Sequence, residues 1–265
     1  MKKRADIILY EKGLVDSREK GKRVIMEGSV FVGNVRIDKP GEKLDEDAPI
    51  TIKENPNIYV SRGGLKLERA IDKFNLCLEN KIAMDIGAST GGFTDCMLRQ
   101  GAAKVFAVDV GYGQLDWKLR NDPRVVVMER TNIRNVTKDD IKEDINFVSI
   151  DVSFISLRLV LPVAKSLLDE NGEIICLIKP QFEAGKDKVG KKGIVREKEI
   201  HFDVIKGIIE FCAEIHLGVM GLTFSPITGA TGNIEFLAYL KNGMENKIDD
   251  RSIFAVIEEA HNTLS

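Results

Sequence analysis

The chain has 265 residues, 43% of them apolar and 30% charged, a balance that supports a folded core and argues against wholesale disorder. Lys and Arg number 39 against 41 Asp and Glu, which excludes a protein that condenses nucleic acid by bulk positive charge but leaves room for a local basic patch. No apolar run approaches the roughly 18 residues of a membrane-spanning helix, and the charged start, Met1 to Ile7, leads into no signal-peptide core. The four cysteines (Cys77, Cys96, Cys176, Cys212) form no C-x-x-C pair, and there are only three histidines, His201, His216 and His261. A cytoplasmic protein without disulfides or a metal site is expected.

In chain order, apolar residues at Ile7, Ile8 and Leu9 predict a helix from Ala5 to Lys12, stopped at Gly13. Asp16-Ser17 caps a second helix with Val24, Ile25 and Met26 on its inner face, ending at Gly28. Two short strands follow within Val30–Ile37 about Gly33-Asn34, then a break at Lys39-Pro40-Gly41 and a strand at Ile50–Ile52. This is a small α+β module. Its first 30 residues carry eight basic side chains (Lys2, Lys3, Arg4, Lys12, Arg18, Lys20, Lys22, Arg23) against five acidic ones. Such a face is either a solvated helix surface or a site for phosphates, whose neutralisation releases counterions.

The order of two helices, G-x-V-x-V-G-N, K-P-G and an acidic stretch resembles the ribosomal protein S4-type RNA-binding domain over residues 3 to 53. The resemblance implies RNA binding by the basic helical face, with Arg4, Arg18, Lys22 and Arg23 as contacts. Asn55-Pro56-Asn57 reads as a linker, and Ser61–Gly64 as a joint before a helix from Leu65 to Phe74. The boundaries drawn are 1–58 for the module, 59–67 for the linker and 68–265 for a large domain.

Beyond residue 80, short apolar runs at 81–86, 104–108, 125–128, 146–150 and 174–178 alternate with helical patterns near 93–99, 113–120, 137–142 and 156–168. That alternation predicts a doubly wound α/β domain on a parallel sheet, closed by a hairpin-like pair at 217–224 and 233–241, about seven strands in all. The strands end at Asp85, Asp109, Glu129, Asp151 and Lys179, where open α/β sheets bind ligands. Asp85-Ile86-Gly87-Ala88-Ser89-Thr90-Gly91-Gly92 is a strand-to-helix glycine loop suited to close backbone approach by a ligand. Asp109, 22 residues past Gly87, stands where an acid takes ribose hydroxyls. These features indicate an adenosine-type ligand and leave a nicotinamide cofactor and S-adenosylmethionine both open.

The stretch D-I-G-A-S-T-G-G-F-T resembles the FtsJ-like ribose methyltransferases. D-V-G-Y-G-Q-L (109–115), R-N-D-P-R-V-V-V-M-E-R-T-N (120–132), D-V-S-F-I-S-L (151–157) and L-I-K-P-Q-F-E (177–183) are similar to the TlyA, or hemolysin A, family across nearly the whole chain. The resemblance implies a Rossmann-like fold, S-adenosyl-L-methionine as cofactor, and 2′-O-methylation of cytidine in 16S ribosomal RNA, 23S ribosomal RNA or both. By motif position it places Asp85, Gly87, Ala88, Ser89, Gly91, Gly92, Phe93, Asp109, Glu129, Arg130, Thr131, Asn132 and Asp151 at the cofactor. It also implies a Lys-Asp-Lys-Glu tetrad at Lys66, Asp151, Lys179 and Glu235. A ribose hydroxyl is a poor nucleophile, so such an enzyme aligns the attack and removes one proton. Lys179 is the expected base, Asp151 its orienting partner near the methyl group, Lys66 a group that tunes charge and positions the ribose, and Glu235 a group that holds a lysine or the hydroxyl in place. The basic loop at 185–193, with Lys188, Lys191 and Lys192, is expected to be mobile and to grip RNA. Two rivals stand beside this reading: an RNA-binding assembly factor without methyl transfer, and a membrane-active hemolysin.

Overall fold

The structure, a computed structural model, describes residues 2–26, 28–33, 35–37, 39–52, 59–190 and 192–264. Asn34 of the predicted turn, the linker at 55–57 and Lys191 lie outside the described residues. The chain divides into two compact units, Met1–Arg62 and Gly63–Ser265.

The first unit comprises β1 (Lys2–Arg4), α1 (Ala5–Glu11), α2 (Arg18–Met26), β2 (Val30–Val32), β3 (Val35–Arg36), β4 (Lys43–Asp45) and β5 (Ile50–Ile52). Ser17 Oγ accepts from Lys20 N at 3.2 Å and caps α2. Gly28, at φ 76°, takes the left-handed conformation that ends it. Strands β3-β2-β5 form an antiparallel sheet, and Ile8, Leu9 and Ile25 of the two helices bury against Val30, Ile37 and Ile50. A second pairing, β1 with β4, escaped the sequence reading because each strand is three residues long and mostly charged.

The second unit runs α3 (Gly63–Phe74), β6 (Ile82–Ile86), α4 (Gly92–Arg99), β7 (Lys104–Val108), α5 (Trp117–Arg120), β8 (Val125–Met128), α6 (Lys138–Ile141), β9 (Ile145–Ile150), α7 (Leu157–Leu167), β10 (Leu168–Ile178), α8 (Pro180–Glu183), α9 (Lys198–Glu214), β11 (Leu217–Phe224), β12 (Phe236–Asn242) and α10 (Asp250–Leu264). Residues 63–67 are thus part of a helix. The seven strands are ordered β11-β12-β10-β9-β6-β7-β8, parallel except for β12, which runs antiparallel to both neighbours.

Strand alternation divides the sheet into two faces. Met84, Ile86, Val148, Ile150, Ala238 and Leu240 share one core with α7, α9 and α10. On the opposite face Asp85 meets Thr94 of α4, and Tyr239 stacks on Phe74 of α3 with ring centroids 5.5 Å apart. The long helices α9 and α10 meet through His201 Nδ1 and His261 Nε2, 3.0 Å apart. Burial, and then the neighbouring His261, push His201 down to about 4.

The register sets the ligand-facing edge expected of the sheet. Ile86 pairs with Val108 on one side and Ile150 on the other, so the carboxyl ends of β6, β7 and β9 are level. The order reverses at β6, which is where a ligand crevice opens in such sheets. Gly87 N donates to Val108 O at 2.9 Å and Asp151 N to Ile86 O at 2.9 Å, tying the three loop starts together.

Candidate active site

A cavity of about 440 Å³ opens at that edge, within the range of small-molecule sites. Of the expected cofactor residues, Gly87, Ser89, Asp109, Thr131, Asn132 and Asp151 line it. Gly87 sits at φ 86°, and a Cβ there would collide with the Asp151 carbonyl oxygen. Asp109 holds the loop beside it: Oδ2 accepts from Ser89 N at 2.8 Å and Oδ1 from Gly111 N at 2.7 Å. Ala88 is buried behind the loop with its N–H on Val108 O at 3.1 Å.

The structure places other expected cofactor residues elsewhere. Asp85 is fully buried on the α4 side of the sheet, where it accepts from Thr94 Oγ1 at 2.6 Å and Ser149 Oγ at 3.1 Å. Burial pushes its carboxyl up to about 7. Gly91 packs against the side chains of Leu115 and Leu119, Gly92 begins α4, and Phe93 is buried. Glu129 pairs with Arg120 at 2.6 Å, and that guanidinium holds it below the usual carboxylate range against the opposing effect of burial. Arg130 stacks over the Tyr112 ring, 4.2 Å from its centroid. Helix α5 supplies one turn of the helix expected over 113–120, because Gly111 and Gly113 keep the preceding stretch in a turn.

Beside the cavity four charged side chains converge from α3, the ends of β9 and β10, and the segment entering β12. Lys66 Nζ lies 2.6 Å from Glu235 Oε2 and 3.9 Å from Asp151 Oδ2. Lys179 Nζ lies 2.6 Å from Asp151 Oδ1, at ion-pair distance but off the hydrogen-bonding direction, and donates to Ser153 Oγ at 3.0 Å. Lys66 and Lys179 are each 8% exposed and Glu235 3%. Two lysines and two carboxylates balance in charge, which is what lets them share a buried corner. Gly229 keeps room for Glu235, since a Cβ there would lie 2.6 Å from its Oε1.

The FtsJ-like methyltransferase model matches residues 59–242, and the S4 domain model matches residues 3–50. The chain belongs to the FtsJ-like methyltransferase family. A candidate rRNA methyltransferase of Bacillus subtilis, YqxC, is 55% identical over 268 residues, covering 99% of this chain and 95% of its own. The Mycobacterium tuberculosis protein named 16S/23S rRNA (cytidine-2′-O)-methyltransferase TlyA is 36% identical over 258 residues, covering 97% of this chain and 96% of its own. A solved candidate hemolysin from Streptococcus thermophilus superposes with a TM-score of 0.80 at 48% identity, over 99% of this chain and 96% of that one. Within the FtsJ-like family, the relatives place this chain in the TlyA, or hemolysin A, group.

In the S4 unit of this methyltransferase Arg4, Arg18 and Lys22, three of the expected RNA contacts, are held by acids. Arg4 binds Asp6 through Nε at 2.9 Å and Nη2 at 3.2 Å, and Arg18 Nη2 reaches Asp6 at 3.4 Å. Lys22 pairs with Glu19 at 2.6 Å, and Arg23 is also engaged. In the large unit Lys188 pairs with Asp203 at 2.9 Å, and Lys192 is exposed. The end of the basic loop is tied down: Asn233 accepts from Val195 N at 2.9 Å and donates to Gly193 O at 2.8 Å.

Sequence reading missed Gln114, Ser153 and Phe154, all of which line the cavity. Each lies inside a stretch that the family resemblance already marked. Phe154 is 90% exposed at φ 64°, a rare conformation for a bulky residue, with its ring against Phe182 at 4.9 Å. Among the described residues no helix is long and apolar enough to cross a membrane.

Proposed function

We propose that this chain methylates a ribose 2′-hydroxyl, that of a cytidine in 16S or 23S ribosomal RNA, with S-adenosylmethionine as methyl donor, acting in the cytoplasm on ribosomal RNA or its subunits. The observation that carries this reading is the Lys66–Glu235 and Lys179–Asp151 pairs standing at the rim of the strand-end cavity. The large unit, Gly63–Ser265, which adds Lys66 to the domain expected at 68–265, performs the transfer, and the module at 1–58 binds RNA.

The cavity's chemistry fits the donor. Gly87 leaves backbone room, the Asp109 carboxylate suits a ribose diol, and Val108, Val110 and Ile133 offer apolar walls to a planar base. S-adenosylmethionine bound there would supply an electrophilic methyl carbon for the ribose oxygen. The protein's part is alignment and proton removal. Lys179, in its amine form, takes the 2′-hydroxyl proton, while Asp151 and Ser153 fix the direction of its Nζ. Lys66, anchored by Glu235, places positive charge near the developing oxyanion.

The test is transfer of labelled methyl groups from S-adenosylmethionine to purified ribosomal RNA and subunits, with the modified riboses mapped, alongside calorimetry with S-adenosylmethionine and NAD. The reading requires a 2′-O-methyl cytidine and binding of the methyl donor. Tight binding of NAD alone overturns it, and RNA binding without transfer leaves an assembly factor.

A further inference from the structure

Asp6 is the only acid in the S4 unit among the described residues that is fully buried, although it stands two residues beyond a surface strand. A carboxylate removed from water needs compensation. Here the compensation comes from Arg18, twelve positions after it, and Arg4, two before it, each of which stays about half exposed, with side-chain exposures of 51% and 44%. Arg4 grips both carboxylate oxygens with Nε and Nη2. A guanidinium has five N–H donors in a rigid fork, and the bonds to Asp6 use only Nε and Nη2 of Arg4. Arg18 spends one Nη2 donor on the same carboxylate and keeps the rest. The surroundings leave space for the fork: a Cβ on Gly41 would lie 3.3 Å from Arg4 Nη1. The backbone beneath is fixed, with Ala5 N on Glu42 O at 2.8 Å and Asp6 N on Pro40 O at 3.2 Å.

Two guanidinium groups left alone repel each other and drift apart in solvent. One carboxylate shared by both cancels half their charge and holds them together while each side chain stays about half exposed. Two paired forks match the oxygens of a phosphate in a way that a pair of lysines does not. We propose that Asp6 is a positioning residue for RNA, which sets Arg4 and Arg18 as a paired clamp on backbone phosphate. The inference rests on the RNA-binding reading of the module given above. Burial works to raise the Asp6 carboxyl, but the two arginines outweigh it and hold it below its ordinary value, as a structural counterion requires.

Charge and position predict opposite outcomes for Asp6→Asn. The substitution makes the unit more positive, so electrostatics alone gives tighter RNA binding and a steeper salt dependence. Positioning gives weaker binding. The experiment measures filter binding of the full-length chain to purified 16S and 23S ribosomal RNA across a salt series, with thermal unfolding of every variant. Asp6→Asn is expected to weaken binding by about tenfold, the scale of one hydrogen bond to a charged group. In an Arg4→Ala, Arg18→Ala background, Asp6→Asn is expected to cost nothing further, because Asp6 acts through those arginines. A purely structural Asp6 would weaken binding in both backgrounds. Arg4→Lys keeps the charge without the fork and is expected to weaken binding as well, which keeps the test open if Asp6→Asn fails to fold. Tighter binding by Asp6→Asn, or full affinity in Arg4→Lys, overturns the positioning role. Wild-type affinity in the Arg4→Ala, Arg18→Ala variant instead overturns the assignment of these arginines to RNA, and the inference with it.

Discussion

Lysine meets carboxylate in two settings in this molecule. On the S4 unit, Lys20 pairs with Asp16 at 2.7 Å and Lys22 with Glu19 at 2.6 Å, with the acids 87% and 81% exposed. In the large unit, Lys66 meets Glu235 at the same 2.6 Å, but the acid is 3% exposed. The distances match and the consequences do not. Exposed pairs are worth about 0–1 kcal/mol and exchange readily for another anion. Removing one partner of a buried pair costs about 3–5 kcal/mol, because a charge is stranded. The first arrangement suits a surface that trades carboxylates for phosphates on contact with RNA. The second suits side chains that must not move when the substrate arrives.

The contrast breaks most sharply at Lys179. Lys179→Ala should slow single-turnover methyl transfer by about 10²-fold or more, the scale of general acid–base catalysis, with binding of S-adenosylmethionine unchanged by calorimetry. Lys179→Arg should fail too, since a guanidinium keeps its proton near neutral pH. Near-normal transfer by that variant would leave Lys179 as a positioning charge.

Next in size is Glu235→Ala, which strands Lys66 in a site 8% exposed and should lose about 3–5 kcal/mol by urea unfolding. Pairing it with Lys66→Met should restore most of the stability and none of the activity. If the single variant unfolds like the wild type, the corner is wetter than its burial indicates.

A pH series sharpens the comparison, because two buried groups act in opposite senses. His201 is pushed down to about 4, so the unfolded chain takes up its proton first as the pH falls. The stability it contributes is complete above about 6.5 and is lost toward pH 4. Asp85 is pushed up to about 7, so its burial is cheapest at low pH and costs stability as the pH rises from about 4 to 7. Asp85→Asn should therefore raise the melting temperature at pH 8 more than at pH 5. A uniform shift would show that Asp85 is ionised throughout. His201→Asn should flatten the acid side of the profile.

The smallest effect on stability is expected for Lys22→Ala, within about 1 kcal/mol. Its RNA affinity should nevertheless fall, with the salt slope reduced by about one. An unchanged slope would remove Lys22 from the contact surface.

The strands β6 to β9 were legible because each is a short apolar run between turn signals. Lys66, Asp151, Lys179 and Glu235 were legible only as motifs in order, since 169 residues separate the Lys66–Glu235 partners. Asp85 shows where one residue matters. It precedes Ile86 at the end of β6, and a step of one along a strand reverses the face, so an acid at the strand's end points at α4 instead of the cavity. Glu129 pairs with Arg120 and is not among the residues that line the cavity, and nothing local in the sequence announces that contact. Helices α9 and α10 carry much of one face of the core, and no glycine motif or strand end drew attention to them. β10 begins at Leu168, well before its apolar run, because Asp169-Glu170-Asn171-Gly172 reads as a turn and enters the sheet only through a register shift.

The glycine at 87 also limits redesign. Under the proposed reading, an engineer widening the site for a bulkier sulfonium analogue would look first to the floor of the loop. That floor has no side chain to trim, and its backbone already rests against the main chain of Asp151. Extra room has to be cut from the walls, where Val110 and Gln114 line the cavity and where a smaller residue would leave the reacting lysine and its carboxylate where they stand.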